Sequence, residues 1–405
     1  MKFPYARVEL TSDGSFHDRD QVKEARRVTG SAHDVLVLVH GWKNDIREAE
    51  SLYERLTDSV EDVRGNVVAA AGRRIAVVGV LWPSIKWADH DELAGGGASA
   101  DGTSETDLIA EIGARDLDSA AAAEMQPLIP KLNTSKSARQ SYLQLLRRQL
   151  PDDIEDGEDA PPLSFLEGDV DTVFEHADEA DGLTGTEMAE GGGAGFFEDH
   201  FVQPARNLLN LTTYYTMRER AGKVGARGIA SVVDELRSDE RRIHLVGHSF
   251  GARAVSSAAN TSSNVHALVL LQGAFSHYGF AQNWNGKGAN GVFRAVPGQV
   301  QGPIVVTHTK NDKAVGQAYA IASRLAQQVA VDIGGPSDRY GGIGRNGALK
   351  TPEALTPGTL QALDGHYAFR AGKVSNLQAD TFISGHSAVT GKQVAYALLT
   401  AATTN

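Results

Sequence analysis

The most informative stretch of the chain reads Arg242-Ile243-His244-Leu245-Val246-Gly247-His248-Ser249-Phe250-Gly251. Its first half is largely apolar, which predicts a buried strand, and the small residues that follow Gly251 predict a helix. A G-x-S-x-G sequence between a strand and a helix places the serine on a sharp turn, from which its hydroxyl projects beyond the sheet. Gly247 and Gly251 provide room where a Cβ would clash. We therefore expect Ser249 to be a nucleophile; the alternative is a buried turn with an inert serine.

The same alternation of short apolar runs and helical stretches continues through most of the chain. It predicts an α/β fold with a parallel sheet whose strands are buried on both faces. The predicted strands are residues 34–40, 74–82, 242–246, 265–271, 303–308 and 374–377. Apolar residues at helical spacing predict helices after Asn44 or Asp45, near 137–150, across 208–236 and around 394–399.

Composition excludes several classes of protein. None of the 405 residues is a cysteine, which excludes disulfides, thiolate zinc sites and cysteine nucleophiles. No apolar run reaches the roughly 18–20 residues that a membrane-spanning helix needs, and the first ten residues lack the apolar core of a secretory signal. No dense stripe of lysine and arginine is present to bind nucleic acid. We therefore expect a cytoplasmic protein with no nucleic-acid partner and no stable membrane insertion.

The net charge of −12 comes from one segment. Residues 152–199 contain 17 acidic residues and no lysine or arginine, whereas the rest of the chain carries a net charge of +5. The alternation of strands and helices also stops near residue 90 and resumes near 200. We therefore predict a catalytic domain formed by residues 1–90 and 201–405, with residues 91–200 as an insertion that is a candidate lid. Like-charge repulsion predicts that 152–199 lies at the surface and is partly disordered.

A serine hydroxyl is a weak nucleophile at neutral pH and needs a base, together with an acid that orients the base. In an open α/β sheet, both are expected on loops at the carboxyl ends of later strands. Asp312 is the first acidic residue after the predicted strand 303–308, although it could instead cap a turn. Only two histidines, His366 and His386, follow it. We favour His386 as the base because it lies between the last predicted strand and the final helix, on a loop that can reach Ser249.

Acyl transfer also requires two hydrogen-bond donors for the oxyanion. One is predicted to be the backbone N–H of Phe250, the residue after the serine. The other is predicted to be the backbone N–H of Trp42, on the loop that follows the strand 34–40. Gly41 would allow this loop to approach the serine closely, although it could instead belong to an ordinary turn.

No motif for a metal or a cofactor accompanies these residues. The acidic pairs Asp152-Asp153 and Asp169-Val170-Asp171 lack the glycine and the spaced glutamate of a calcium loop. Residues 340–347 are rich in glycine, but the lysine–serine pair of a phosphate-binding loop does not follow. We therefore expect no cofactor and no metal, and we interpret 340–347 as a flexible surface loop.

Four sequence elements occur in the order in which the α/β-hydrolase superfamily has them: His40-Gly41-Trp42, Gly247-His248-Ser249-Phe250-Gly251, Asp312 and His386. The chain thus resembles that superfamily over about residues 1–90 and 200–400. With Leu81-Trp82-Pro83-Ser84 at a predicted strand end, it is similar to bacterial serine esterases and lipase-like hydrolases. The resemblance implies a central, mostly parallel sheet of about eight strands flanked by helices, and hydrolysis of carboxylic esters without a cofactor.

These inferences lead to one expected activity and several alternatives. We expect a serine hydrolase with a Ser249–His386–Asp312 triad that cleaves a small-molecule or lipid ester through an acyl-enzyme. The same triad could serve an amidase, a peptidase or an acyltransferase, because fold and triad do not determine the substrate. A non-catalytic interaction module, which recruits a basic partner through the acidic insertion, is a further alternative.

Overall fold

The computed structural model describes residues 1–42, 44–84, 104–115, 117–151, 157–179, 200–326 and 335–404. These residues form eight strands and fourteen α-helices. The strands are β1 (Tyr5–Glu9), β2 (Asp34–Val39), β3 (Ile75–Leu81), β4 (Arg242–His248), β5 (Ala267–Leu271), β6 (Ile304–His308), β7 (Gly358–Thr359) and β8 (Val374–Gln378).

The helices divide into those before and those after β4. Before it lie α1 (Arg19–Val28), α2 (Ile46–Asp62), α3 (Glu105–Ala114), α4 (Ser119–Met125), α5 (Lys136–Arg148), α6 (Leu163–Glu167), α7 (Val170–Glu179), α8 (Val202–Lys223) and α9 (Ala230–Leu236). After it lie α10 (Phe250–Thr261), α11 (Val296–Gln299), α12 (Lys313–Leu325), α13 (Ile343–Asn346) and α14 (Lys392–Thr403). Among the described residues, no helix is both long enough and apolar enough to cross a membrane.

All eight strands form one parallel sheet with the order β1-β3-β2-β4-β5-β6-β8-β7. β4 lies in the middle, between β2 and β5. Because the strands are parallel, the loops that follow β2, β4, β6 and β8 leave the same edge of the sheet. Gly41, Ser249, Asp312 and His386 lie on these four loops and therefore meet at that edge.

Helices cover both faces of the sheet, as the α/β prediction requires. Alternate residues of β2 point to opposite faces. Val35, Val37 and Val39 belong to a core shared with α8, α10 and α12, whereas Leu36 and Leu38 pack with α2 and α14. Burial on both faces explains why the central strands read as continuous apolar runs.

The six strands expected from the sequence are all present, and their bounds lie within a few residues of the predicted ones. β4 continues through Gly247 and His248, so the strand reaches the serine itself. The sequence does not predict β1 or β7. β1 has five residues and β7 has two, and both lie at the edges of the sheet, where strands too short to show a clear period are common.

The described part of the acidic segment is not confined to the surface, which corrects the prediction made from its charge. Val173, Phe174 and Ala177 of α7 are buried in the same core as the sheet, where α7 packs against α8 and α12. Phe165 of α6 is fully buried as well. Residues 170, 173, 174 and 177 have helical spacing, so periodicity indicates this apolar face, whereas the charge of the segment indicates a solvated surface. Residues 152–156 and 180–199 lie outside the described residues.

Basic side chains from other helices compensate the acidic residues that pack here. Lys136 Nζ lies 2.6 Å from the carboxylate of Asp171. The carboxylate of Asp159 is buried 3.9 Å from the guanidinium of Arg218, and it accepts a hydrogen bond of 3.1 Å from the Tyr214 hydroxyl. Local pairing of this kind replaces the repulsion that the sequence predicts, because a buried charge is tolerated when it is paired and hydrogen-bonded.

The glycine-rich residues 340–347 also differ from the prediction, which was a flexible surface loop. Tyr340 is buried, and Ile343–Asn346 forms α13 beside β6. A Cβ on Gly342 would overlap the side chain of Val315. Gly342 therefore permits close packing of this stretch against α12.

Candidate active site

Ser249 lies at the turn between β4 and α10, in a backbone conformation that L-residues rarely adopt, with φ 58° and ψ −123°. A non-glycine residue with this φ is strained, and such strain persists where the surrounding structure enforces it. The surroundings here are tight: a Cβ on Gly247 would overlap the backbone of Gly251, and a Cβ on Gly251 would overlap the carbonyl oxygen of Val39. Both flanking glycines are therefore required by the close approach of β2 and α10.

Three of the predicted side chains form a continuous chain of hydrogen bonds. His386 Nε2 lies 2.9 Å from Ser249 Oγ, and His386 Nδ1 lies 2.8 Å from Asp312 Oδ2. Because a carboxylate only accepts, Nδ1 carries the proton and Nε2 is left to accept the proton of the serine hydroxyl. The side chain of Asp312 is 0% exposed, whereas that of His386 is 21% exposed. Solvent thus reaches the His386 side chain but not that of Asp312.

Asp312 acts as a helix cap at the same time. Its Oδ2 faces His386, and its Oδ1 accepts a hydrogen bond of 3.0 Å from the backbone N–H of Val315, in the first turn of α12. The helix cap and the contact with His386 therefore coexist on the two oxygens of one carboxylate. The cap holds the carboxylate in one orientation, because rotation would break the bond to Val315.

The loop that carries His386 is fastened to the loop that follows β6. Asn311 Nδ2 donates to the backbone carbonyl oxygens of Asp380 and Ile383, at 3.0 and 2.9 Å. The Asp380 carboxylate accepts a hydrogen bond of 2.7 Å from the Thr309 hydroxyl. Burial favours a higher pKa for Asp380, but its hydrogen bonds, led by the one from Thr309, outweigh burial and lower the pKa. The carboxylate therefore stays ionised and holds the two loops together.

His248, inside the G-x-S-x-G sequence, supports the same loop. Its Nε2–H donates to the backbone carbonyl of His386 over 2.8 Å, and the two imidazole rings lie 4.8 Å apart. Burial lowers the pKa of His248 to about 3, so its ring is neutral at pH 7 and adds no positive charge beside the base. Sequence reasoning missed this role, because the two histidines are 138 residues apart and no local pattern joins them.

The loop after β2 lies directly against the serine. A Cβ on Gly41 would be 2.6 Å from Ser249 Cβ, so only glycine permits this approach. The backbone N–H of Trp82 donates to His40 Nε2 over 3.3 Å, which assigns the proton to His40 Nδ1, 2.9 Å from the Gly41 carbonyl oxygen. Burial lowers the pKa of His40 to about 4, so this neutral tautomer persists at pH 7. The Gly41 carbonyl and the Trp42 N–H belong to one peptide group, whose plane His40 therefore fixes.

Phe250, the other predicted oxyanion donor, is the first residue of α10. Backbone N–H groups in the first turn of a helix have no acceptor within the helix and lie at its positive end. The Phe250 ring packs edge-on against Trp42, with 6.3 Å between the ring centroids, and lies 5.4 Å from the ring of Tyr214. The Tyr214 hydroxyl is 2.6 Å from that of Tyr319. Aromatic side chains therefore form the wall beside both predicted donors.

The remaining candidates from the sequence lie apart from this arrangement. His366 is exposed, in the segment between β7 and β8. The carboxylates of Asp169 and Asp171 lie 3.8 and 2.6 Å from Lys136 Nζ. Within the described ranges, no group of three histidine, aspartate or glutamate side chains is arranged to hold a metal ion. Asp152-Asp153 lies outside those ranges.

Comparison with known proteins identifies no relative. A scan against protein-family models finds no match to the chain. Searches of curated proteins and of solved structures find no match either. A functional conclusion must therefore be drawn from the geometry of the site.

Proposed function

We propose that this protein is a serine hydrolase that cleaves carboxylic esters, with the fold of the α/β-hydrolase superfamily. The observation that carries the proposal is the hydrogen-bonded chain from Ser249 through His386 to Asp312, with distances of 2.9 and 2.8 Å, at one edge of a parallel sheet. Nucleophile, acid and histidine follow one another along the chain in the order that α/β-hydrolases use. The positive φ of Ser249, at the junction of a strand and a helix, supports the same proposal.

In the proposed reaction, Ser249 Oγ attacks the acyl carbon while His386 Nε2 takes the hydroxyl proton. The former carbonyl oxygen becomes an oxyanion, which the backbone N–H groups of Trp42 and Phe250 bind. The tetrahedral intermediate then expels the alkoxide, to which His386 returns the proton, and the acyl group remains on Ser249. Water, deprotonated by His386, attacks the acyl carbon, and the second tetrahedral intermediate breaks the bond to Ser249 Oγ. His386 gives its proton to Ser249 Oγ, so the carboxylic acid leaves and the free enzyme is restored.

The neighbours of the triad support each proton transfer. Asp312 is fully buried, so its negative charge acts on the His386 imidazolium with little screening by water. His248 is neutral at pH 7, so it does not oppose the positive charge that develops on His386. His40 fixes the peptide plane from which Trp42 would donate to the oxyanion. The site is thus organised before the substrate binds, which is the condition for electrostatic stabilisation of the transition state.

A panel of p-nitrophenyl esters from acetate to palmitate tests the proposal. The wild-type protein should release p-nitrophenolate from at least one ester, and Ser249→Ala should reduce kcat by a factor of about 10⁴–10⁶. Matched p-nitroanilides and added alcohols reveal whether amide hydrolysis or acyl transfer is faster than ester hydrolysis. No turnover of any ester by the wild-type protein, or equal turnover by Ser249→Ala, would contradict the proposal.

A further inference from the structure

Two arginines with nearly buried side chains share one carboxylate, and one of them, Arg115, packs on the ring of Trp42. Arg115, at the end of α3, and Arg206, on α8, have side chains that are only 10% and 6% exposed. Both face the same carboxylate: Arg206 Nε lies 3.0 Å from Glu111 Oε1, and Arg115 Nη2 lies 3.5 Å from Glu111 Oε2. Among the described residues, the two guanidinium groups form ion pairs with this one carboxylate, so the ion-paired groups carry one excess positive charge. The exposed carboxylate of Asp107 also interacts with Arg206, but it forms no ion pair with it.

Within the described part of the chain, some N–H groups of this cluster have no acceptor. Arg115 Nη2 donates to Asn210 over 2.6 Å, and Arg206 Nη1 donates to Gln203 over 2.8 Å. By contrast, Arg115 Nη1 and Arg206 Nη2 are buried, and neither has a hydrogen-bond partner among the described residues. Buried polar groups are nearly always hydrogen-bonded, and buried cations are nearly always paired. Unsatisfied guanidinium nitrogens beside an excess positive charge are what an anion-binding site contains before its ligand arrives.

Trp42 connects the cluster to the proposed reaction site. The Arg115 guanidinium carbon lies 5.4 Å from the centroid of the Trp42 ring, and the same ring packs edge-on against Phe250. Trp42 directly follows Gly41, which touches Ser249. The Arg115 guanidinium and the Phe250 ring therefore both pack against the Trp42 side chain, so Arg115 contacts one of the two residues proposed to bind the oxyanion.

We propose that Arg115 and Arg206 bind a carboxylate that the ester substrate carries in addition to its scissile ester group. This inference rests on the proposed esterase function and narrows its substrates to esters with a negative charge a few bonds from the reacting carbonyl. A planar guanidinium presents paired N–H donors that match the two oxygens of a carboxylate. Glu111 and Asn210 hold Arg115 in place, which lowers the entropic cost of binding. Burial strengthens the attraction, because little water competes for the same donors.

Two matched pairs of esters test the proposal and identify the side of the ester that carries the charge. Monoethyl glutarate has a carboxylate in its acyl part and is compared with ethyl pentanoate. The butyrate ester of 3-hydroxypropanoate has it in the alcohol part and is compared with butyl butyrate. Release of acid is followed by titration at constant pH. In one pair, the charged ester should have a kcat/KM at least about tenfold higher than its neutral partner; equal values in both pairs would overturn the proposal.

Variants then assign the preference to the arginines. Arg115→Gln and Arg206→Gln should each reduce kcat/KM for the charged ester by at least about tenfold more than for the neutral one. Arg148→Gln removes the same charge from an exposed position on α5 and should leave the preference intact. An equal loss on charged and neutral esters would mean that the arginines only support Trp42, and it would overturn the proposal.

Direct binding separates this proposal from the esterase proposal. Isothermal titration of glutarate into the full chain should show binding to the wild-type protein and to Ser249→Ala, and no binding to Arg115→Gln. That result would support the carboxylate site even if no ester were hydrolysed. Ester turnover without glutarate binding and without charge preference would leave the esterase proposal standing and overturn the carboxylate site. If Arg115→Gln does not fold, Arg115→Lys keeps the charge but loses the paired donors, and it should bind glutarate at least about tenfold more weakly.

Discussion

At the scale of single residues, the choice between two histidines decides the proposed mechanism. His386 contacts both Ser249 and Asp312, whereas His366 is exposed between β7 and β8. His386→Ala should therefore reduce kcat by several orders of magnitude, because a triad fails when its base is removed. His366→Ala is the matched control and should keep kcat within about twofold, as most exposed substitutions do. Steady-state kinetics on one ester gives the kcat of each variant. A larger loss of kcat in His366→Ala than in His386→Ala would assign the base to His366.

The site residues that can be predicted from the sequence follow strands, whereas those that cannot be predicted depend on contacts between distant parts of the chain. Ser249, Asp312 and His386 are predictable because each follows a strand, and parallel topology brings strand ends together. His248 and His40 are oriented by partners that are distant in the chain, the His386 carbonyl and the Trp82 N–H, so no local spacing marks them. For His248 the only sign is its place inside the motif. Its hydrogen bond to the His386 carbonyl exists only in the folded chain.

At the scale of elements, the junction of β4 and α10 leaves no room for a side chain at its glycines. A Cβ on Gly251 would overlap the Val39 carbonyl oxygen, so Gly251→Ala should lower the free energy of unfolding by about 1–3 kcal/mol or more through overpacking. Gly222 is the matched control, because it lies in α8 and a Cβ there meets open space. Gly222→Ala should stabilise the protein by about 0.5–1 kcal/mol. Urea unfolding measures both, and equal effects would contradict the packing account.

Elements are predictable from the sequence where apolar periodicity is strong. The central strands are buried on both faces and read as unbroken apolar runs, so β2, β3 and β4 are evident. The helix α2 begins one residue after Asp45, whose side chain and that of Glu48 cap it reciprocally. The apolar face of α7 also has helical spacing, but the acidic residues between its members favour a solvated segment, and the two signals in the sequence disagree.

At the scale of the whole molecule, substitutions of apolar residues in the acidic segment test whether this segment packs in the main core. Phe165 is fully buried in the main core, so Phe165→Ala should lower the free energy of unfolding by about 3–5 kcal/mol. Leu163, two residues away, is 72% exposed, and Leu163→Ala should change the free energy of unfolding by less than about 0.5 kcal/mol. Chemical denaturation of both variants gives the comparison. A small effect of Phe165→Ala would restore the original prediction of a segment that does not pack.

Buried neutral histidines make the stability of the molecule depend on pH. Burial lowers the pKa of His40 to about 4 and those of His248 and His277 to about 3, against an ordinary value near 6.5 in the unfolded chain. Below pH 6.5 the unfolded state therefore binds more protons than the folded state, so these groups lower the free energy of unfolding as the pH falls. Above pH 7 they are neutral in both states and add no pH dependence.

Urea unfolding between pH 8 and pH 4 measures this effect. The urea concentration at which half of the protein is unfolded should decrease as the pH is lowered below 6.5. This decrease should be smaller in His277→Gln, which removes one of the three histidines at a position outside the triad. If the urea midpoint depends on pH equally in the wild-type protein and in His277→Gln, His277 does not contribute to the pH dependence of stability, and this prediction is contradicted.

The central sheet can be predicted from the sequence more fully than the packing of the acidic segment on it. The parallel α/β sheet and the meeting of four loops at one edge are direct consequences of alternating strands and helices. The packing of residues 157–179 against α8 and α12 is not such a consequence. The sequence shows many like charges in this segment, but it does not show that Lys136 pairs with Asp171. Long-range compensation of charge is settled only by the tertiary structure.

The central claim is that Ser249 is an activated nucleophile, and phosphonylation tests it most directly. A fluorophosphonate reacts with a serine that a neighbouring base has activated, whatever ester the protein prefers. Peptide mass spectrometry of the treated protein should locate one adduct on Ser249; Ser249→Ala should give no adduct, and His386→Ala should react far more slowly. An unlabelled wild-type protein, or an adduct at another residue, would contradict the account.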